Sequence, residues 1–265
     1  MDLQSILTSV SVVAGCGLII SIFLSIFAKR FAVKVDKREE EVLAALPGNN
    51  CGGCGYPGCS GLASAIAAGQ APVGGCPVGG KTVADKIAAI MGVEAGDFVK
   101  KVAFVKCNGT CEAAGEDYEY LGPKDCKSAV MAPGRGSKSC NFGCLGFGSC
   151  KNVCDNDAIA IVDGIAVIDP EKCGGCGKCV KTCPMGIIEL VPYDADVKVA
   201  CSSKDKGNIT AKACKTGCVG CGICVKTCQF SAVTVEDNVA HIDYDKCTRC
   251  MACAQKCPKK IITVR

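Results

Sequence analysis

The sequence predicts an α+β chain with three kinds of part in series: an N-terminal helix long enough to cross a bilayer, a small four-cysteine domain, and two tandem units built alike. Three observations predict it. Residues Ile6 to Ala28 carry no charge; Cys51, Cys54, Cys59 and Cys76 sit in a glycine-rich stretch; and eight cysteines between Cys140 and Cys183 recur in the same register 74 residues later. The expected boundaries are 1–30 for the anchor, 31–98 for a linker helix and the four-cysteine domain, 99–195 for the first unit and 196–265 for the second.

Ile6 to Ala28 is 23 residues rich in Ile, Leu, Val and Phe; at a rise of 1.5 Å this is ~34 Å of helix, enough for a transmembrane span. Lys29, Arg30 and Lys34 follow at once, so the positive-inside tendency puts the rest of the chain on the cytoplasmic side of the inner membrane. A cleaved signal peptide would want a basic start, a shorter apolar core and an A-x-A-like site, and none is evident. Gly17, Ser21 and Ser25 fall four apart, either a surface for close helix approach or ordinary small residues in an anchor. Cys16 lies mid-span and reads as a small apolar residue. The charged stretch from Val33 to Leu46 reads as a surface helix ending before Pro47-Gly48.

The next segment, Leu46-Pro-Gly-Asn-Asn-Cys51-Gly-Gly-Cys54-Gly-Tyr-Pro-Gly-Cys59, is completed by Cys76 in a C-x2-C-x4-C-x16-C spacing. Glycines there let the backbone fold closely round an inorganic core and aim amides at its sulfurs. Short helices are expected over Ser60 to Gly69 and Lys81 to Met91. The pattern resembles the small four-cysteine iron–sulfur domain shared by the B subunit of Rnf electron-transport complexes and the large subunit of corrinoid iron–sulfur proteins. A structural zinc site is the competing reading.

In the repeated region, Cys140, Cys144, Cys150, Cys154, Cys173, Cys176, Cys179 and Cys183 answer Cys214, Cys218, Cys224, Cys228, Cys247, Cys250, Cys253 and Cys257. The second half of each set is a C-x2-C-x2-C-x3-C-P run, and these runs resemble those of bacterial two-cluster ferredoxin domains, which hold [4Fe–4S] clusters. Between the paired runs, Ala158 to Ile168 and Ala232 to Ile242 alternate apolar and polar residues about Asp-Gly and Asp-Asn, so each is a β-hairpin. Lys101 to Cys107 and Val197 to Cys201 read as strands ending in a cysteine. They match at an offset of 94 rather than 74, so the first unit carries an insertion of about twenty residues, including Cys111 and Cys126.

In such ferredoxins the fourth cysteine of a run ligates the other cluster of the pair, and the resemblance assigns ligands accordingly. Cys218, Cys221, Cys224 and Cys257 would hold one cluster, and Cys247, Cys250, Cys253 and Cys228 another. Cys173, Cys176, Cys179 and Cys154 would hold a third. The remaining site departs from the pattern, because Phe147 stands where the second unit has Cys221. Cys144, Cys150 and Cys183 remain, and Cys140 is the nearest thiolate in sequence to complete them. A three-iron cluster, or a separate site joining Cys140 to Cys107, Cys111 and Cys126, stays open. With Cys51, Cys54, Cys59 and Cys76 this makes about five [4Fe–4S] clusters. Cys16, Cys107, Cys111, Cys126, Cys201 and Cys214 stay unassigned, as buried structural thiols or as part of a sixth cluster.

Composition excludes several functions. The chain has 265 residues and 26 cysteines, with eight Phe, five Tyr and no Trp, so clusters are expected to replace part of the side-chain core and folding to depend on them. The formal charge of +4 misleads, since each oxidised cluster with its thiolates contributes about −2 and five clusters bring the total to about −6. Nucleic-acid binding is not indicated, for no basic stripe with interleaved aromatics is present. A disulfide framework and paired zinc knuckles fit the runs poorly. There is no G-x-G-x-x-G entering a helix and no Walker loop, and His241 reads as a strand residue without a partner signature. No catalytic residue is expected.

Taken in order, span, four-cysteine domain and tandem ferredoxin-like units resemble the B subunit of the Rnf complex over nearly the whole chain. The resemblance implies the cytoplasmic iron–sulfur arm of a membrane-bound ferredoxin:NAD oxidoreductase, a translocase coupled to sodium or proton movement. Its partners would be soluble ferredoxin as donor, flavin- and iron–sulfur-bearing subunits as acceptors, and the lipid bilayer. An iron–sulfur subunit of a hydrogenase or formate dehydrogenase is one alternative, which molybdenum or nickel–iron partners would reveal. A corrinoid-linked reductive activator is another, which bound cobalt would reveal.

Overall fold

A computed structural model describes residues 3–30, 36–96 and 99–264. Helix α1 runs from Leu3 to Arg30, covering the uncharged stretch. Its apolar side chains from Leu18 to Ile20 and from Ile22 to Leu24 are exposed, and the Ser21 hydroxyl donates to the Gly17 carbonyl at 2.8 Å. Among the described residues no helix is long and apolar enough to cross a membrane, so the expected crossing has no support there. Lys34, used in the orientation argument, lies outside the described residues, as does the side chain of Lys29.

The charged stretch becomes helix α2, Lys37–Ala45. Asp36 caps it by accepting the Arg38 N–H at 3.0 Å, and Glu39 and Glu40 in its first turn suit the positive end of the helix dipole. Helices α3, Gly58–Ala67, and α4, Gly80–Met91, follow at the expected places. Gly92 ends α4 in a left-handed conformation, φ +67°, which a side chain would resist. Val42, Leu62, Ile66 and Ile87 from the three helices form one small core, and Cys59 and Cys76 are buried in it.

Two β-rich units come next. The first has β1 (Lys101–Val105), the four-residue helix α5 (Cys126–Ala129), β2 (Ile159–Val162), β3 (Ile165–Ile168), α6 (Lys178–Thr182) and β4 (Ile188–Pro192). The second has β5 (Val197–Val199), α7 (Gly207–Ala213), α8 (Ile223–Thr227), β6 (Val233–Glu236), β7 (Val239–Ile242), α9 (Ala252–Lys256) and β8 (Ile262–Val264). Antiparallel pairs β2–β3 and β6–β7 are the expected hairpins. Asp163 and Gly164 in one, and Asp237 and Asn238 in the other, all have positive φ at the turn, as a two-residue type I′ connection requires. His241 sits in β7 opposite Thr234.

Strands β1 and β5 each close a unit by pairing antiparallel with its last strand, β1 with β4 and β5 with β8. Val105 lies opposite Ile188 and Val199 opposite Ile262. The next residues repeat the match, for the Lys106 N–H donates to the Ile187 carbonyl and the Ala200 N–H to the Ile261 carbonyl. The equivalence of Cys107 and Cys201, offset by 94, is therefore structural. Each unit has its own apolar core in which cysteines alternate with Ile, Val and Ala, consistent with low aromatic content.

Candidate metal centres

None of the 26 cysteines is in a disulfide. The fold gathers most of them at the walls of small cavities. Hairpin β6–β7, helix α8 and the chain before β8 enclose a small cavity walled by Cys218, Cys221, Cys224 and Cys257. Burial pushes the Cys224 thiol up to about 11, with repulsion from the other three adding to it. Cys253 is likewise raised by burial and feels Cys247 and Cys228; Cys250 lies exposed on the loop between Cys247 and Cys253.

In the first unit Cys154, Cys173, Cys176 and Cys179 wall another cavity, and Cys51 of the four-cysteine loop reaches the same space. Burial, then repulsion from Cys173, Cys176 and Cys154, raises Cys179 to about 11. The Ala103 N–H in β1 donates to the Cys173 sulfur at 3.4 Å, a bond that strengthens as a thiol becomes a thiolate. In the four-cysteine domain, Cys76 is raised chiefly by burial and faces Cys59 and Cys51. Asn50 holds the loop by accepting the Cys59 N–H at 2.8 Å.

The site that lacked a motif cysteine is built differently from the expectation. Cys144, Cys150 and Cys183 line a small cavity, and the fourth wall thiol is Cys126 rather than Cys140. Cys150 is pushed up to about 12 by burial and then by Cys144, Cys126 and Cys183. The insertion folds back and supplies the sulfur that Phe147 cannot. Phe147 instead meets the ring of Tyr120, also in the insertion, at 5.4 Å between centroids. Buried Ser149 fixes the substitute: it accepts the Cys126 N–H at 2.9 Å and donates to Asp125 at 2.7 Å. No sequence spacing marks this partnership, because the insertion has no counterpart in the second unit.

Cys140 goes elsewhere. With Cys107, Cys201 and Cys214 it lines a further cavity at the junction of the two units. Sequence reasoning left the last three unassigned. Cys111 is exposed and Cys16 lies in α1, also exposed.

Among the described residues no three His, Cys, Asp or Glu side chains converge tightly enough to hold a single metal ion. A cubane asks for a wider cage, since each thiolate binds a different iron. Buried thiols on apolar walls, with backbone N–H groups aimed at sulfur, fit that group.

Neighbouring cages touch. A Cβ on Gly53 would lie 2.4 Å from the Cys176 carbonyl oxygen, so only glycine allows the four-cysteine loop to sit against the first unit. Lys181 also donates to the Gly52 carbonyl at 3.3 Å.

Comparison with known proteins finds iron–sulfur domains in this chain. A family model described as an Fe-S cluster matches residues 46–78, a 4Fe-4S binding domain matches 165–188, and a 4Fe-4S dicluster domain matches 217–262. The B subunit of the Na(+)-translocating ferredoxin:NAD(+) oxidoreductase complex of Acetobacterium woodii is 53% identical over 98% of this chain and 78% of its own length. The B subunit of an ion-translocating oxidoreductase complex from Methanosarcina acetivorans is 39% identical over 98% of both chains. The B subunit of the proton-translocating ferredoxin:NAD(+) oxidoreductase complex of Clostridium ljungdahlii is 38% identical over 91% of this chain and 86% of its own.

Proposed function

The chain belongs to the family of B subunits of ion-translocating oxidoreductase (Rnf) complexes, and from that premise we propose how its cages carry electrons through such a complex. It is an iron–sulfur electron-transfer subunit with 4Fe-4S domains. The proposed ligand sets are the five thiol groups described first: Cys51, Cys54, Cys59 and Cys76; Cys154, Cys173, Cys176 and Cys179; Cys126, Cys144, Cys150 and Cys183; Cys218, Cys221, Cys224 and Cys257; and Cys228, Cys247, Cys250 and Cys253. A bound [4Fe–4S] cluster supplies one-electron uptake and release without bond making. The protein needs no acid, base or nucleophile. Its residues hold the cages in contact, exclude water and aim amides at sulfur, which sets the potentials.

The observation that carries this reading is the contact of Gly53 with Cys176, which joins the four-cysteine domain to the ferredoxin-like units as one path. Entry at the second unit is supported by exposure. Within the five groups, Cys221 and Cys250 are the exposed cysteines, and both belong to that unit. Exposed Lys226, Lys256 and Lys260 stand near its cages, a rim suited to an acidic donor such as reduced ferredoxin. Electrons would leave through the four-cysteine domain to flavin- and iron–sulfur-bearing partner subunits, with NAD reduction and sodium or proton movement belonging to the whole complex. Attachment to the inner membrane through α1, with the cages on the cytoplasmic side, is supported by the 23 uncharged residues and by the exposed apolar side chains of that helix.

Exchange of Cys76 for Ser in the assembled complex tests the path. Reduced ferredoxin should still bind and reduce the second unit, while reduction of the partner flavins falls at least tenfold. Flavin reduction at the normal rate would show that electrons do not pass the four-cysteine domain.

A further inference from the structure

The cavity at the junction of the two units has thiols on its wall from four separate segments, and no sequence run or matching family domain accounts for all four. Cys107 follows β1, Cys140 precedes the first unit's cluster loop, Cys201 follows β5 and Cys214 ends α7. We propose that Cys107, Cys140, Cys201 and Cys214 hold a sixth [4Fe–4S] cluster, half of it supplied by each unit.

Size is the first argument. This cavity encloses about 20 Å³, the same as two of the thiol cages above. The second is near symmetry. The Cys144 N–H donates to the Cys107 sulfur at 3.3 Å, and the equivalent Cys218 N–H donates to the Cys201 sulfur at 3.3 Å. Gly143 and Gly217 likewise donate to the carbonyls of Cys140 and Cys214, each at 3.2 Å. The two halves thus present matching pairs of sulfurs with matching amide donors. Cβ atoms built on Gly109 and Gly143 would each lie within 4 Å of two of these sulfurs, so glycine keeps that wall bare.

Charge is the third argument. Lys138 borders the cavity and is only 6% exposed. Its ammonium donates to the carbonyls of Gly109 at 2.9 Å and Gly164 at 2.8 Å. A buried cation is costly without negative charge nearby, and a cluster with four thiolates supplies about −2. The units are also fastened across this space. Thr216 donates to the Asn108 carbonyl, Ser202 to the carbonyls of Lys106 and Phe142, and the Lys215 N–H to the Ala113 carbonyl.

Loading the site replaces four S–H bonds by four S–Fe bonds and releases four protons; one electron then enters and leaves without further bonding change. The amides of Cys144 and Cys218 belong to neighbouring ligand residues on either side, so the site stands between the last cage of one unit and the first of the other. That intermediate position in the electron path rests on the function proposed above, whereas the cluster itself does not.

Wild-type full-length protein prepared anaerobically gives the test without any substitution. Native mass spectrometry should count six [4Fe–4S] clusters, and alkylation should spare Cys107, Cys140, Cys201 and Cys214 until the iron is chelated, while Cys111 reacts at once. Cys201→Ser should then lose four irons and four sulfides, and Cys111→Ser none. Five clusters with those four thiols open to alkylation, or zinc in their place, would overturn the proposal while leaving electron transfer by the other five intact. Six clusters in a chain that ferredoxin cannot reduce would sink the function and not the site.

Discussion

Asp125 is a surface carboxylate that acts on one of the proposed cluster sites. The Ser149 hydroxyl, and then the Ser128 N–H, hold it below the usual carboxylate range. Through Ser149 it fixes the backbone of Cys126, the thiol that replaces a missing motif cysteine. A depressed folded pKa means the hold is full above the ordinary carboxylate value of about 4 and is lost as pH falls through the folded value. Asp125→Ala should therefore release iron from one cluster several-fold faster than wild type at neutral pH, as followed by absorbance with a chelator. The difference should narrow once acid has protonated the wild-type carboxylate. Equal release rates at neutral pH would mean that Ser149 needs no anchor. Of this local chemistry the sequence shows little. The C-x2-C-x2-C runs were legible because their cysteines are neighbours along the chain, while Cys126 meets Cys144, Cys150 and Cys183 only through the folding of an insertion.

At the scale of elements, hairpins and strands were the most legible parts. Asp163-Gly164 and Asp237-Asn238 mark their turns through left-handed backbone, and the alternation in β2 and β6 gives each of these two strands a more buried face. What sequence could not give is how the four-cysteine loop meets the first unit, since that contact is between backbone atoms. Gly53 is the residue to change. A methyl group there would press on the Cys176 carbonyl, and neither backbone can yield cheaply. Gly53→Ala should preserve the iron content and push the two cages apart, slowing electron exchange between them. Freeze-quench EPR of the partly reduced protein would see the delay. Unchanged exchange, with unchanged spin coupling between the two centres, would place the contact off the path.

For the whole molecule, the buried thiols make the fold depend on metal and on pH together. Burial pushes Cys150 up to about 12 and Cys179, Cys201 and Cys224 up to about 11. A raised folded pKa contributes stability that is full below the unfolded thiol value, about 8.5, and is lost as pH rises toward the folded one. Whatever fold the chain keeps after iron is removed should accordingly melt at progressively lower temperature from pH 8 to pH 11 by circular dichroism under reducing conditions. The cluster-loaded chain should not share that slope, because its ligated sulfurs have no proton to lose. Parallel slopes would mean that the thiols are not metal ligands. The repeat of the two cluster-type units was legible in the cysteine register, but the junction cavity was not, although Cys140 and Cys214 repeat in register without belonging to any run. Its four thiols lie up to 107 positions apart in the chain, and the hydrogen bonds of Ser202, Lys215 and Thr216 across the two units bring them together. That separation has a consequence for biosynthesis. When Cys107 and Cys140 leave the ribosome their complementary pair has yet to be translated, so the nascent first half carries an unfinished, oxidation-prone mouth. A cell making this chain must keep that intermediate shielded from air and from stray metals until Cys214 emerges.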